Sequence, residues 1–584
     1  MKALRYVHKY FYKYKYRLLA GIIISILSRY LAVKVPEIVK NSINIADEYR
    51  TGIVTDLAYV KDELLYNIAL IVGLAILSGF FTFLMRQTII VTSRLIEFDL
   101  KNEIFKQYER LSVNFYKKNR TGDLMNRISE DVGKVRMYFG PAVMYTINML
   151  VLFSVAVFKM LKIDTTLTFY TLLPFPLLSL SIFVLSKVIN KRSTIVQEYL
   201  SKLTTFGQEV FSGINVIKSY TIENSTIEDF NTLAEKSKEK NIHLFKAQAL
   251  FFPLMILLIG ISNLTVLYIG GMQYIHGIIS IGTIAEFIMY VNMLTWPVAV
   301  VGWVTSTIQQ AEASQKRINE FLQQQPEIVS GDFLPDALGG KVTFENVSLT
   351  YDDTDITALN NISFTVEKGE TIAILGKTGG GKSSILNLIA RLYDPTSGTV
   401  SIDGVNLKKM DTHLLRKHIG FVPQDPFLFS DSIENNIRFG AEEADQIRIE
   451  NAAKNAAIHE NIERFKKRYK TILGERGLTV SGGQKQRISI ARALIKDPDI
   501  LIFDDCLSAV DTETEEAILM NLKTISANKT TFIVSHRISS VKYADKIIVL
   551  DQGQIVQEGI HEKLVREPGY YQEFYNQQLL EKEH

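Results

Sequence analysis

The run Gly376-Lys377-Thr378-Gly379-Gly380-Gly381-Lys382-Ser383, continued by Ser384, has the residue types and spacing of a phosphate cradle. Glycines at these positions let successive backbone N–H groups wrap an anion, and a helix opening at the lysine adds its positive N-terminus. Lys382 is then placed to reach the β- and γ-phosphates of a nucleotide, and Ser383 to ligate Mg2+. The strand-like stretch 371–375 before the loop and the helical pattern 384–392 after it supply the context such a loop needs. A second run, 499–503, reads as a buried strand that leads into Asp504 and Asp505, where an acid can hold Mg2+ through water opposite the loop. Between the two lies Val480-Ser481-Gly482-Gly483-Gln484, which would open a helix and make a second anion-binding terminus.

These residues need a sheet and helices to hold them. After Gln325 the texture changes: Gly331, Pro335, Gly339 and Gly340 mark a linker over 326–340. From Lys341 to the end, short β-branched runs alternate with helical stretches, the pattern of an α/β domain with a largely parallel sheet. The 584-residue chain is long enough for several domains, and its single cysteine, Cys506, rules out a disulfide scaffold. With 47% hydrophobic residues, general disorder is excluded. Lys+Arg of 65 against Asp+Glu of 62 gives no reason to expect a nucleic-acid partner.

Residues 1–325 differ in kind. Six apolar stretches, 18–39, 64–84, 141–158, 165–188, 250–271 and 281–303, meet the length needed to span a bilayer, the third extending toward Tyr138. Lys and Arg crowd the segment before the first span and the long segments 94–138 and 187–246. The loop 271–282 has none, so both termini are expected in the cytoplasm. The two long segments predict membrane helices running well beyond the bilayer, each pair closing at a short turn; about 25 extra residues would project about 40 Å. Alternating basic and aromatic residues from Arg5 to Tyr14 suit a helix lying among lipid headgroups. Arg29 inside the first span is expected to face a cavity, whereas Arg86 either does so or snorkels. Pro36, Pro253 and Pro297 read equally as hinges or as packing irregularities.

Together these motifs resemble those of the ATP-binding cassette (ABC) transporters, specifically an exporter half-transporter with one membrane domain ahead of one nucleotide-binding domain. The resemblance covers essentially the whole chain. It implies a polytopic α-helical membrane domain followed by an α/β P-loop NTPase domain. It also implies that Val480 to Gln484 is the signature that contacts ATP on the opposite subunit. Gln424 resembles the glutamine that joins Mg2+ to the membrane domain, Tyr351 the aromatic that stacks on adenine, and His536 the switch histidine on the γ-phosphate. Asp511, in Ser508-Ala509-Val510-Asp511, resembles the D-loop acid. Gly474-Glu475-Arg476-Gly477 resembles the exporter loop that reads the membrane domain, and 115–131 and 209–220 resemble the two intracellular coupling regions.

Two departures stand out. Val480 replaces the usual leucine and keeps an apolar contact. Asp505 occupies the place where catalytic members carry glutamate, one methylene longer, as the base that orients water. Base catalysis needs contact within about 2.6–3.2 Å, and a displacement of about 1 Å costs on the order of a hundredfold. The resemblance therefore implies a slow site, and favours a heterodimer whose partner half-transporter supplies the competent one; intact His536 leaves a slow homodimer open. The function expected is ATP-driven export or flipping of a small hydrophobic or amphipathic substrate, lipid or drug-like, across the plasma membrane. An ATP-gated channel or regulatory protein with weak hydrolysis is the alternative.

Overall fold

The structure, a computed structural model, describes residues 3–333, 338–474, 477, 480–508, 512–526 and 528–583. The chain divides into two compact units, Met1–Glu109 with Gly122–Gln324, and Arg110–Thr121 with Gln325–His584.

The first unit is helical. Among the described residues, six helices are long and apolar enough to cross a membrane: α1 (Lys15–Arg50), α2 (Leu57–Arg110), α3 (Thr121–Ile163), α4 (Thr165–Ser212), α5 (Glu223–Ile275) and α6 (Ile281–Leu322). The 54 residues of α2 make about 81 Å of helix at about 1.5 Å per residue, far more than the roughly 30 Å of hydrocarbon. The expected extensions are therefore present. Their closures are short helices rather than short turns: Val113–Lys118 lies between α2 and α3, and Ile214–Tyr220 between α4 and α5. Prolines mark the irregular places. Pro141 sits where α3 widens into a π-type turn over Tyr138–Ala142, and Pro253 comes just after a break in α5 at Leu250, because each proline removes a backbone donor. A core that includes Val33, Leu152, Phe175, Leu258, Phe287 and Tyr290 joins α1 with α3 to α6.

Part of the N-terminal basic and aromatic segment meets carboxylates, while Tyr12 stays exposed. Lys9 and Tyr10 bind Glu103 at 2.7 Å, and Tyr6 donates to the same carboxylate. Lys13 and Tyr14 bind Asp99 at 2.6 and 2.9 Å. Both acids lie on α2, so two carboxylates among apolar neighbours recruit the cations and phenols that composition alone assigns to lipid.

The second unit contains a six-stranded sheet. Its strands are β3 (Thr371–Gly376), β6 (Ile419–Val422), β7 (Ile500–Asp504), β8 (Thr530–Val534), β9 (Lys546–Asp551) and β10 (Gln554–Gly559), in spatial order β10-β9-β3-β8-β7-β6. All neighbours pair in parallel except β10 with β9. β7 and β8 are buried at every residue, as strands covered on both faces must be. A second, antiparallel sheet has the order β2-β1-β4-β5, from β1 (Val342–Tyr351), β2 (Ile356–Val366), β4 (Ser397–Ile402) and β5 (Val405–Asn406). A core including Phe344, Phe364, Ile374, Ile389 and Phe532 fills the space between the sheets.

Candidate nucleotide site

Strand order explains why residues scattered over 376–536 meet. The parallel strands β3, β8, β7 and β6 lie side by side. At their carboxyl ends stand, in the same order, the glycine loop, Ser535-His536, Asp504-Asp505 and Gln424. Ligands of open parallel sheets bind outside such ends.

The loop itself has a backbone that only glycine tolerates at key points. Gly381 has φ +96°, and a Cβ there would lie 2.2 Å from the Ala358 carbonyl oxygen. At Gly376, with φ +152°, a Cβ would meet the Leu550 carbonyl oxygen at 2.2 Å. Helix α7 (Lys382–Ile389) starts directly after the loop, so its free N–H groups face the space the loop encloses. The Lys382 ammonium is buried and donates to the carbonyls of Gly376 and Lys377 at 2.8 and 2.9 Å. Burial pushes its pKa down, opposed by Asp505 and Asp504.

Ser383 Oγ donates to Asp504 Oδ1 at 2.9 Å. Burial raises the Asp504 pKa, with the Ser383 hydrogen bond opposing it. Asp505 adopts φ +44°, and its N–H donates to the Val534 carbonyl at 2.9 Å, tying the end of β7 to β8. Its Oδ2 lies 3.4 Å from Gln424 Nε2, while its buried Oδ1 has no hydrogen-bond partner among the described residues. Ser383, Asp504 and Gln424 offer only oxygen ligands, which suits Mg2+. Among the described residues no cluster of three or more His, Cys, Asp or Glu could cage a metal, so the phosphates of a nucleotide would have to complete the coordination. The orphaned Asp505 oxygen likewise points to a missing partner. The His536 pKa is lowered, by burial first and then by Lys382, with Asp505 and Asp504 opposing.

Tyr351 Oη shares a hydrogen bond with Ser384 Oγ at 3.0 Å, and the Tyr351 and Tyr393 rings meet edge-on at 5.2 Å. The short helix Val113–Lys118 brings Lys117 Nζ to 4.7 Å from the Tyr351 ring and 5.0 Å from the Tyr393 ring. Its neighbours fasten it: Lys118 pairs with Asp352 at 2.6 Å, and Asn114 donates to Asp352 at 2.9 Å and to Glu327. The sequence does not single out Lys117, because nothing in a Lys-Lys pair shows which ammonium will meet an aromatic ring. It also missed the support of His536. Gln578 donates to the His536 carbonyl at 2.7 Å and accepts from the Ile538 N–H at 2.9 Å. Buried Glu515 accepts from Arg537 at 2.5 Å and from Ser539 at 3.1 Å.

Ser481 caps helix α8 (Gly482–Leu494). Its hydroxyl accepts from the Gln484 N–H at 3.3 Å, and its own N–H donates to Gln484 Oε1 at 3.0 Å. Among the described residues no hydrogen bond links Ser481, Gly482, Gly483 or Gln484 to the glycine loop. Asp511 of the D-loop stretch, and Glu475 and Arg476 of the exporter loop, lie outside the described residues.

The ABC transporter family matches residues 359–508, and the ABC transporter transmembrane region matches residues 18–298. The chain is 34% identical to the "Multidrug resistance-like ATP-binding protein MdlA" of Escherichia coli (strain K12), over 90% of each protein. It is 33% identical to the "Probable multidrug resistance ABC transporter ATP-binding/permease protein YheI" of Bacillus subtilis (strain 168), over 98% of this chain and 97% of that one. The chain belongs to the ABC transporters. Its fold is similar to that of a bacterial Atm1-family ABC exporter solved with ATP bound, with a TM-score of 0.79 and 27% identity over 97% of this chain and 98% of the other. The ABC transporter is thus a multi-pass membrane protein of the exporter type, with an ATP-binding unit in the same chain.

Proposed function

We propose that this chain is half of an ATP-driven exporter or flippase that moves a hydrophobic or amphipathic molecule across the plasma membrane, with both termini in the cytoplasm. The observation that carries the reading is one polypeptide joining six spans to a strand-end nucleotide site. ATP phosphates lie on the N–H groups of the loop and of α7, and Lys382 exchanges the Gly376 and Lys377 carbonyls for phosphate oxygens. Adenine stacks on Tyr351. Mg2+, held by Ser383, Gln424 and Asp504, supplies charge neutralisation at the phosphates. His536, kept neutral by its surroundings, meets the γ-phosphate, and Asp505 orients the attacking water. Ser481 to Gln484 and Asp511 face the nucleotide of a second half-transporter, so two chains enclose each ATP. Closure of that sandwich switches the spans because ATP binds the closed state more tightly.

Asp505 decides which dimer this is. Its reach is one methylene short of glutamate, which supports a heterodimer in which the partner chain hydrolyses faster. The test is the ATPase rate of this chain alone in lipid, with Lys382→Ala as blank, and then the rate with a co-purifying second chain. Activity only in the pair is expected. A rate above the blank for the chain alone, lost with Asp505→Asn, would make it a homodimer working with aspartate. Nucleotide-dependent conductance without uphill transport would favour a gated channel instead.

A further inference from the structure

Two cavities of the membrane unit are built from one set of helices. α1, α3 and α6 pack against one another. The first cavity, about 230 Å³, is lined by Arg29, Tyr145, Asn148, Met149, Met293 and Trp296 among others. Asn148 Oδ1 accepts from Ser25 Oγ at 2.8 Å and from Arg29 Nε at 3.0 Å. Among the described residues this is the only protein hydrogen bond of Arg29, and no carboxylate lies within ion-pair distance of it. A cation inside a span is costly unless it is paired or faces a polar space. Here it faces a mostly apolar space that Met149, Leu152, Met293 and Val300 line with Tyr145 and Trp296.

The second cavity, about 670 Å³, includes Glu37, Lys40, Phe158, Lys159, Lys162 and Glu286 in its lining. Lys159 pairs with Glu37 at 2.5 Å and Lys40 with Glu286 at 3.4 Å, which leaves Lys162 as the surplus charge. The Glu286 side chain is 1% exposed, and its Oε2 makes no hydrogen bond, so the Lys40 pair is open to a better donor or acceptor. The spacing ties the cavities together. Arg29 and Lys40 are eleven residues apart on α1, as are Asn148 and Lys159 on α3. Eleven residues is about three turns and about 16 Å, so each pair lies on one face of its helix.

We propose that α1, α3 and α6 form a track with two cationic stations, Arg29 and then Lys40, Lys159 and Lys162, for an amphiphile with an apolar tail and an anionic head. The head exchanges Arg29 for the outer lysines, while Trp296, Met149, Met293 and Phe158 contact the tail. Only the identity of this molecule as cargo rests on the transport reading; its binding requires no ATP.

Trp296 and Trp303 are the only tryptophans of the chain, so Trp303→Phe protein in vesicles reports on the inner station, with the Trp296→Phe, Trp303→Phe double variant as blank. Bromine-labelled phosphatidylglycerol is compared with phosphatidylcholine carrying the same labelled chains, and bromododecanoate is added from water to phosphatidylcholine vesicles. An anionic probe should quench Trp296 with about fivefold higher apparent affinity than phosphatidylcholine, as one basic residue near an anionic head provides. Arg29→Gln should abolish the preference, Arg29→Lys should keep it, and the exposed Lys162→Gln should weaken it. Selectivity for phosphatidylglycerol identifies a bilayer lipid, and selectivity for bromododecanoate alone a water-borne amphiphile; either supports the proposal. Equal quenching by all three probes, or a preference that survives Arg29→Gln, overturns it. Hydrolysis measured in the same vesicles against Lys382→Ala tests the transport reading separately, so a charge-selective site without hydrolysis would fail only that reading.

Discussion

Replacing Asp505 by glutamate should accelerate ATP hydrolysis, and the site shows why. The backbone at Asp505 is fixed by its N–H bond to Val534 and by a left-handed φ of +44°, so the substitution extends only the side chain, by about 1.5 Å for one C–C bond. Neither oxygen is strongly held: Oδ1 has no partner and Oδ2 has only the 3.4 Å contact with Gln424, which is beyond a strong hydrogen bond. The longer carboxylate can therefore move toward the γ-phosphate without breaking a good contact. An ångström of misplacement is worth about a hundredfold in rate, or about 2.7 kcal/mol of barrier. Fitting one more methylene into this buried corner costs about 1–3 kcal/mol of stability, so melting temperature belongs beside the rate. The assay is phosphate release at saturating MgATP in lipid, for wild type, Asp505→Glu, Asp505→Asn and Lys382→Ala. For the chain alone, Asp505→Glu should exceed wild type by about two orders of magnitude, while wild type and Asp505→Asn both stay near the Lys382→Ala blank. A folded, ATP-binding Asp505→Glu protein no faster than wild type would refute the idea that reach limits this site.

Neighbouring contacts set other outcomes. Tyr351→Ala should raise the Kd for MgATP about tenfold, in line with about 1–3 kcal/mol for a base on an aromatic ring, while leaving tripolyphosphate binding unchanged; equal losses for both would place the base elsewhere. Because burial lowers the folded-state pKa of His536 below its ordinary 6.5, the unfolded chain takes up that proton first as pH falls. Stability should therefore drop with pH below about 6.5, and this component should vanish in His536→Gln, as read by melting curves between pH 7.5 and 5.5. Arg537→Ala leaves the buried Glu515 carboxylate to Ser539 and Ser540 and should cost about 1.5–3 kcal/mol, the range for hydrogen bonds to charged groups; hydrogen exchange near His536 should rise with it.

The parts of this transporter that depend on local pattern were legible in its sequence. Glycine at 376 and 381 reflects positive φ within the loop itself. Ser481 before Gly482 reads as a helix start and forms a reciprocal cap with Gln484. Six long apolar runs can only be satisfied as helices in lipid, where backbone groups must bond within their own segment. Such features are set within one turn or one strand, so composition and spacing suffice to find them.

What the sequence left open involves partners distant along the chain. The segment expected to close α2 and α3 as a turn folds as a helix and belongs, as Arg110–Thr121, to the nucleotide-binding unit, because Lys117 and Lys118 find Tyr351, Tyr393 and Asp352 there. Lys9, Tyr10, Lys13 and Tyr14 find Glu103 and Asp99 on α2, contacts that composition does not show. Arg29 could be read as a cavity charge, yet only the packing of α1 with α3 and α6 gives it Asn148 and places it beside Trp296. The sequence by itself determined that a phosphate loop, an acidic strand end and six spans exist, since each is a local solution to hydrogen bonding or burial. Only the tertiary structure shows that β8 inserts between β3 and β7, setting His536 between Lys382 and Asp505, because β3 and β8 are more than a hundred residues apart and pair only when the domain packs.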